Sequence, residues 1–290
     1  MIRIWFADFW SDFDVRDNIF VSVLKEAGIA FRLSSWFPDL LMYSCFGSQH
    51  KRYRCKKVFY TGENVRPNFS ECDYAISFDY LEDVRHLRLP GYIYHAWSQA
   101  RLMGLKDGLS AIRSMLLKDR DDEKILARKQ KFCAFIVGNG SVERRNEFFY
   151  KLSKYRQVDS AGTWLNNTGQ VVRNVVKVQF LKDYKFNIAF ENSSSPGYTT
   201  EKILDALLAN CVPIYWGDPM VALDFSERCF VNVGKFESDE AAIQTIIELD
   251  RSDDMYRQYL AAPCFPGNAP PPYWELQRLR DFLQTAMEQA

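Results

Sequence analysis

The 290-residue sequence predicts an α/β protein made of two halves, each with a mostly parallel sheet. Short apolar runs that suit buried strands alternate with stretches at helical spacing, which is the pattern of β/α units. The alternation is interrupted by a charged stretch at about residues 98–131 and starts again at Phe132. These observations predict two Rossmann-like domains facing an interdomain cleft, at residues 1–125 and 126–290.

The first half shows one helix among several strands. Residues 2–6 predict a strand, and residues 15–27 predict a helix that stops at Gly28, because apolar side chains recur every three or four positions. Short apolar runs before turn residues predict further strands at 29–33, 40–46, 57–60 and 73–78.

The second half repeats the alternation. Strands are predicted at 132–137, 184–190 and 212–216, and helices at 142–155, 171–182 and 200–209. The seven consecutive charges from Lys118 to Lys124 favour a solvated helix or loop between the halves. A proline-rich stretch, residues 266–272, precedes a last helix.

Composition excludes several classes of protein. The 37 basic and 37 acidic side chains balance, so no net field favours nucleic acid or anionic lipid. The seven cysteines include no C-x-x-C pair, and the three histidines are not spaced as zinc ligands with them, which favours reduced core thiols. We expect no signal peptide, since no charged segment followed by an apolar one stands at the start. We also expect no membrane-spanning helix, since no window holds 18 apolar residues without charge.

The most informative segment begins at Tyr184 and predicts a strand, a loop of small polar residues, a helix and a strand. Ligands of open α/β sheets bind at the carboxyl ends of strands, and helix N-termini attract phosphate. Lys202 would add a full positive charge there, and the neighbouring Glu201 could accept hydrogen bonds from a ribose diol. A simple helix cap is the alternative; it explains Thr200 and Glu201 but not the long loop, Tyr198 or Lys202.

Three blocks of sequence resemble the α1,3-fucosyltransferases of glycosyltransferase family 10, especially the bacterial ones. The first reads VFYTGEN at residues 58–64, followed by PNF and by DYAISFD. The second covers residues 132–148 and contains Arg144-Arg145-Asn146, and the third reads FEN, GYTTEKILDA and VPIYWG within residues 190–217. The blocks stand in the family's order.

The resemblance implies a GT-B fold with the donor in the C-terminal domain. It implies inverting transfer of L-fucose from GDP-β-L-fucose to a GlcNAc hydroxyl of an N-acetyllactosamine-type acceptor, giving an α1,3 linkage and a Lewis x type product. Glu63 matches the family's base, which takes the proton of the acceptor hydroxyl. A solvated turn glutamate is the alternative for Glu63.

The resemblance also implies a donor site. Arg145 and Lys202 match cations that bind the diphosphate, where negative charge grows in the transition state. Glu201 matches an acid that contacts ribose or fucose. The remaining matches around the donor are Glu191, Asn192 and Tyr198. Arg144 lies next to Arg145, and the alternative interpretation of Arg144 is a charged side chain on the surface of a helix.

On the acceptor side, Trp10 lies in an aromatic and acidic loop that resembles one in the family, and it could stack on a sugar ring or serve in packing. No metal or other cofactor is expected, because the D-x-D pattern at residues 119–121 lies in the charged stretch. The expected partners are GDP-fucose and an oligosaccharide or glycolipid acceptor, without nucleic acid. We expect a cytoplasmic protein, and leave peripheral contact with the inner membrane open.

Two alternatives for the whole protein stay open. One is a transferase of the same fold that uses another nucleotide sugar, such as GDP-mannose. The other is a non-catalytic glycan-binding protein of the same fold, against which Glu63 argues, since binding alone needs no base.

Overall fold

The computed structural model describes residues 1–117, 123–173 and 175–290. The chain divides into two compact units, Met1–Ser98 with Pro272–Ala290, and Gln99–Pro271. Within the described ranges each unit holds one parallel sheet with helices, of six strands in the first unit and five in the second. The α/β class is therefore confirmed.

The sheet of the first unit has the strand order β2-β1-β3-β4-β5-β6, with every neighbouring pair parallel. The predicted strands are all present, most of them shorter than predicted, and β6 was not predicted. Their bounds are β1 Ile2–Ala7, β2 Phe31–Leu33, β3 Leu40–Tyr43, β4 Lys56–Tyr60, β5 Tyr74–Ser77 and β6 His86–Arg88.

Helix α1, Ile19–Glu26, begins four residues later than predicted. Asn18 caps it: the side-chain oxygen of Asn18 accepts a hydrogen bond from the Val21 amide at 3.0 Å. That cap ends the extended approach of the chain and starts the helix. Helix α2, Gly91–Leu102, spans the position at which the contacts divide the chain.

The units differ from the expected division at residues 125 and 126. The last described helix, which we number α10, Leu276–Glu288, packs against α1 and belongs to the first unit. Its apolar stripe includes Leu279 and Leu283, both almost fully buried. Sequence order placed this segment with the second half, whereas burial of the apolar stripe joins it to the first.

The sheet of the second unit has the order β11-β10-β9-β7-β8, again parallel throughout. The strands are β7 Lys131–Phe135, β8 Val158–Ser160, β9 Tyr184–Phe190, β10 Val212–Trp216 and β11 Val231–Asn232. The helices are α3 Gly108–Leu117, α4 Glu123–Arg128, α5 Glu143–Ser153, α6 Val175–Leu181, α7 Glu201–Leu208, α8 Asp239–Arg251 and α9 Asp253–Ala261. Six of the seven residues of central β9 are buried, as expected of a parallel strand covered on both faces.

The charged stretch is only partly described. Helix α3 ends at Leu117 and α4 begins at Glu123. Residues 118–122, which hold most of the predicted helix or loop and the D-x-D pattern at 119–121, lie outside the described residues. Within the ranges that the structure describes, no helix combines the length and apolar character needed to cross a bilayer.

Candidate active site

The loop between β9 and α7 is held in place by one carboxylate. Asp218 follows β10 and is buried. Its oxygens accept hydrogen bonds from the Gly197 amide at 2.7 Å and from the Thr199 hydroxyl at 3.0 Å. Gly197 has a φ of 82°, in the left-handed region that favours glycine. Asp218 was not singled out in the sequence, because its partners come from the preceding loop.

Glu191 is the first residue after β9, and it is fully buried. One oxygen accepts from the Thr200 amide at 2.7 Å, and the other from the Thr200 hydroxyl at 2.6 Å and the Lys202 ammonium at 3.0 Å. Thr200 stands at the N-cap position of α7, but its side chain makes no capping hydrogen bond, contrary to the helix cap considered in the sequence. The Thr200 side chain binds Glu191 instead. Glu191 holds Lys202 in place, and its predicted direct contact with the donor stays a prediction.

Gly217 shows how closely Glu191 is enclosed. A Cβ atom at position 217 would lie 2.4 Å from Cγ of Glu191 and 2.7 Å from its Cβ. Such distances are far below normal contact, so only glycine leaves room for the glutamate side chain. The sequence showed this glycine only as the end of a strand.

Lys202 is a well-surrounded cation with a side chain only 16% exposed. Besides Glu191, it contacts the Thr200 hydroxyl at 2.8 Å and Glu201 at 3.5 Å. Burial lowers the pKa of Lys202, but the charges of Glu191 and Glu201 outweigh burial and raise it above its ordinary value. Burial raises the pKa of Glu191, and Lys202 opposes that rise. The ammonium thus stays charged at neutral pH.

Glu201 belongs to a second ionic group that the sequence did not predict. Lys177 on α6 lies 2.7 Å from Asp205 and 4.0 Å from Glu201. Glu201 therefore stands between two ammonium groups, with a third of its side chain exposed. The available sequence signal was the four-residue spacing of Glu201 and Asp205, which puts both carboxylates on one helix face.

Arg145 on α5 is a buried guanidinium that contacts only neutral acceptors. It donates to the Asn139 carbonyl at 2.7 Å, the Asn192 side chain at 3.1 Å and the Phe190 carbonyl at 3.5 Å. Its exposure is 1%, and its Nε has no hydrogen-bond partner within the described residues. Burial lowers the pKa of Arg145, although Glu191 is close enough to oppose that shift. An arginine in this position remains a cation.

Arg144 has a different role, although it is the next residue. Its guanidinium forms two hydrogen bonds with the Asp239 carboxylate, at 2.8 and 2.5 Å. The same cation lies over the rings of Phe190 and Trp216, at 5.5 and 5.6 Å from their centroids. Arg144 joins α5 to the start of α8, so Arg145 is the arginine of this pair that lacks a carboxylate contact among the described residues.

The other predicted donor residues lie in the same region. Asn192 is exposed and accepts from Arg145, and Tyr198 is buried. The charge of an ionised Tyr198 would raise the pKa of both Arg145 and Lys202, which shows that its ring lies near both cations. The second unit thus brings together the six predicted donor residues. Among the described residues, no group of three or more His, Cys, Asp or Glu side chains could hold a metal ion.

Glu63 lies in the first unit, three residues after the end of β4. Its amide donates to the Thr61 hydroxyl at 3.0 Å, and the same hydroxyl donates to the Glu63 carbonyl, also at 3.0 Å. This short loop fixes the Glu63 backbone at the carboxyl edge of the sheet, while the residue itself is exposed. Its role as base stays a prediction.

Trp10 follows the carboxyl end of β1 and is half-buried in an aromatic cluster. Its ring meets Phe13, Tyr94 and Phe46 edge-on, with centroids 5.1, 5.3 and 6.3 Å apart. Packing and partial exposure therefore coexist, and both interpretations of Trp10 remain. Phe46, half exposed beside it, was missed because an isolated phenylalanine carries no signal.

The Trp10 loop is held by Asp8, which has a φ of 58° and is buried. The Asp8 carboxylate accepts from the amides of Gln49 and His50 at 2.9 and 2.8 Å, and it contacts the His50 ring at 2.7 Å. Glu63 and Trp10 thus lie at the same edge of the first sheet, on loops fixed by short hydrogen bonds.

Comparison with known proteins agrees with this arrangement. Residues 4–95 match the model of the α-(1,3)-fucosyltransferase FucT N-terminal domain, and residues 126–262 match that of the glycosyltransferase family 10 (fucosyltransferase) C-terminal region. The α-(1,3)-fucosyltransferase FucT of Helicobacter pylori is 34% identical along an alignment 291 residues long, which covers 89% of this chain and 59% of that protein. The chain therefore spans about three fifths of the length of this relative.

Two further relatives extend the match. Human α-(1,3)-fucosyltransferase 4 is 33% identical over 138 residues, 46% of this chain and 26% of that protein. A crystal structure of an α1,3-fucosyltransferase with GDP-fucose has a TM-score of 0.81 and 30% identity, covering 99% of this chain and 90% of that one. The expected GT-B fold is confirmed by this likeness. Because both halves match the family's domains and a solved member agrees along nearly the whole chain, this chain belongs to glycosyltransferase family 10.

Proposed function

We propose that the protein transfers L-fucose from GDP-β-L-fucose to an oligosaccharide or glycolipid acceptor. The solved relative with a TM-score of 0.81 binds GDP-fucose, and the Helicobacter pylori relative is an α-(1,3)-fucosyltransferase. On that support, the acceptor group is a GlcNAc hydroxyl of an N-acetyllactosamine-type chain, the linkage is α1,3, and the product is of Lewis x type.

One observation carries the donor half of the proposal: the guanidinium of Arg145 is 1% exposed and contacts only neutral acceptors. Burying an uncompensated charge is costly, so the site favours an anionic occupant. The diphosphate of GDP-fucose supplies that charge. Lys202, whose partners keep it protonated, adds a second cation near the same strand end.

In the proposed reaction, the acceptor oxygen attacks C1 of fucose from the side opposite the diphosphate. Its proton passes to the Glu63 carboxylate as the new C1–O bond forms and the bond from C1 to the phosphate oxygen breaks. GDP leaves with the bonding electrons, and Arg145 and Lys202 stabilise the negative charge that grows on it. Direct displacement inverts the anomeric configuration, so a β-linked donor gives an α-linked product.

Glu63→Gln tests the base, because glutamine keeps the shape of the side chain and cannot take a proton. We expect transfer to fall about 10²- to 10⁴-fold. GDP affinity should stay the same, since the donor residues lie in the other unit. Transfer at the full rate would remove Glu63 from this role.

A panel of GDP-fucose, GDP-mannose and other nucleotide sugars tests the donor, with linkage and anomeric configuration determined by NMR of the product. Turnover with GDP-mannose alone would favour the alternative donor, and binding without turnover would favour a glycan-binding protein. A product with retained configuration would contradict direct displacement.

We further propose that no metal or other cofactor is required, because two side-chain cations serve the diphosphate. Transfer in excess EDTA should equal transfer in Mn²⁺ buffer, and activity that depends on added Mn²⁺ would overturn this. A cytoplasmic location, with peripheral contact at the inner membrane, completes the proposal and is tested by cell fractionation.

A further inference from the structure

Two neighbouring aromatic side chains of the first unit stand out in solvent. Trp36 and Phe37, in the loop between β2 and β3, are 77% and 78% exposed. Single exposed apolar side chains are common on protein surfaces, but two adjacent large rings exposed to this extent form an apolar patch.

The loop contains a strained backbone conformation. Phe37 has a φ of 44°, in the left-handed region that is costly for a bulky residue. The Ser34 hydroxyl donates to the Trp36 carbonyl at 3.0 Å, and the Trp36 amide donates to that hydroxyl at 3.3 Å. The fold thus holds both rings outward, where they gain nothing from burial in the described chain.

The rings border a groove of about 620 Å³. Its walls include Arg3, Tyr53 and Arg54, and it lies by the amino ends of β1, β3 and β4. Glu63 and Trp10 lie at the carboxyl edge of the same sheet, so this groove is separate from the first unit's part of the candidate site.

The groove is basic. Four of the side chains that line it are cations, Arg3, Arg52, Arg54 and Lys56, against one acidic side chain, Asp39. Arg3 pairs with Asp39 at 2.5 Å and Lys56 with Asp73 at 3.1 Å, whereas Arg52 and Arg54 are exposed and pair with no carboxylate among the described residues. The local positive excess contrasts with the neutral chain as a whole.

We propose that Trp36, Phe37, Arg52 and Arg54 form a docking surface for an anionic phospholipid bilayer. Exposed tryptophan and phenylalanine rings partition into the lipid headgroup region, and arginines beside them are attracted to anionic lipid. Charge complementarity selects an anionic surface, and the adjacent apolar rings favour a bilayer over a soluble anion. The inference deepens the proposed membrane contact and does not depend on fucosyl transfer.

Vesicle sedimentation tests the surface with the full chain. One set of vesicles holds about 30% phosphatidylglycerol in phosphatidylcholine, and the other holds phosphatidylcholine alone. We expect binding to the anionic set, weakened by salt. Arg52→Gln with Arg54→Gln should weaken it about 25-fold, taking roughly a fivefold loss for each charge.

Removing the rings gives an independent test. Trp36→Ala with Phe37→Asn should weaken vesicle binding at least about tenfold, since each ring removes on the order of 100 Å² of apolar surface from water. Asparagine tolerates the left-handed conformation, so this variant should fold at least as well as the parent. The matched control is Arg16→Gln with Lys25→Gln, which removes two exposed cations elsewhere on the same unit and should change binding less than about threefold.

Several outcomes would overturn the proposal: equal binding to both vesicle sets, equal losses in the control and the Arg52/Arg54 variant, or unchanged binding without the rings. If a soluble anionic glycan binds the protein with micromolar affinity and prevents vesicle binding at that concentration, the groove is a glycan site instead. Melting temperature, GDP affinity and transfer to a soluble acceptor should be unchanged in the docking variants. If the transferase proposal is wrong, the parent protein will fail to transfer fucose, and its binding to vesicles will be unaffected.

Discussion

Lys202 contacts Glu191 in the folded protein, and we propose that it also binds the diphosphate when GDP or GDP-fucose is bound. Lys202→Ala should therefore cause two losses. The ion pair is 3.0 Å long and almost fully buried, which gives an attraction of about 5 kcal/mol at an effective dielectric constant of about 20. We expect the free energy of unfolding to fall by about 3–5 kcal/mol, the usual cost of leaving a buried charge without its partner.

The second substitution, Glu191→Gln, separates the two losses. In the double variant the glutamine oxygen can still accept from Thr200, and no buried carboxylate is left unpaired. Most of the lost stability should return. GDP affinity should remain about 10- to 150-fold below that of the parent, because a hydrogen bond to a charged group contributes about 1.5–3 kcal/mol and is absent from both variants.

Chemical denaturation measures the stability of the four proteins in this cycle, and calorimetry with GDP measures affinity. Glu191→Gln alone serves as the control for the loss of the carboxylate. A double variant that binds GDP as the parent does would refute the diphosphate contact of Lys202. A single Lys202→Ala variant of parental stability would refute the structural contribution of the ion pair.

Three further predictions concern other residues. Arg145→Ala should weaken GDP binding at least about tenfold by calorimetry. Arg144→Ala removes the pair with Asp239 and the contacts with the Phe190 and Trp216 rings, so it should lower thermal stability and leave affinity within about threefold; equal affinities for both variants would contradict the distinction. Gly217→Ala should lower the free energy of unfolding by about 1–3 kcal/mol in denaturant, because the new methyl group displaces Glu191, and an unchanged value would contradict that contact. Burial lowers the pKa of His86 below 6.5, so the unfolded chain binds its proton first and stability should fall as pH decreases through about 6.5 and below. His86→Gln should flatten that part of the curve of melting temperature against pH, and an identical curve would rule His86 out.

The sequence predicted well what local spacing determines. Strand β9, the loop, α7 and β10 appear as expected, since their apolar periodicity and turn residues lie within one short segment. Asn210, just after α7, has a φ of 55°, the left-handed conformation in which asparagine often ends a helix. Strands β8 and β11 escaped prediction because three residues or fewer show no alternation.

Contacts between distant positions were not predictable in the same way. Asp239 lies 95 positions from Arg144 and His50 lies 42 from Asp8, so no spacing rule connects them. Glu191 was singled out by resemblance, but its burial against Thr200 depends on how the loop folds back. The resemblance to the family predicted which residues bind the donor, and the packing shows which of them hold others in place.

The placement of α10 also has a consequence for biosynthesis. The first unit is built from the beginning of the chain and from residues 272–290, with the whole second unit between them. On the ribosome, the apolar face of α1 stays without its helical partner until about 250 further residues have been synthesised, because α1 ends at Glu26 and α10 begins at Leu276. The second unit can complete its sheet earlier, so the first unit finishes folding last although its synthesis begins first. A chain cut before Pro272 would leave the apolar face of α1 exposed to chaperones and proteases.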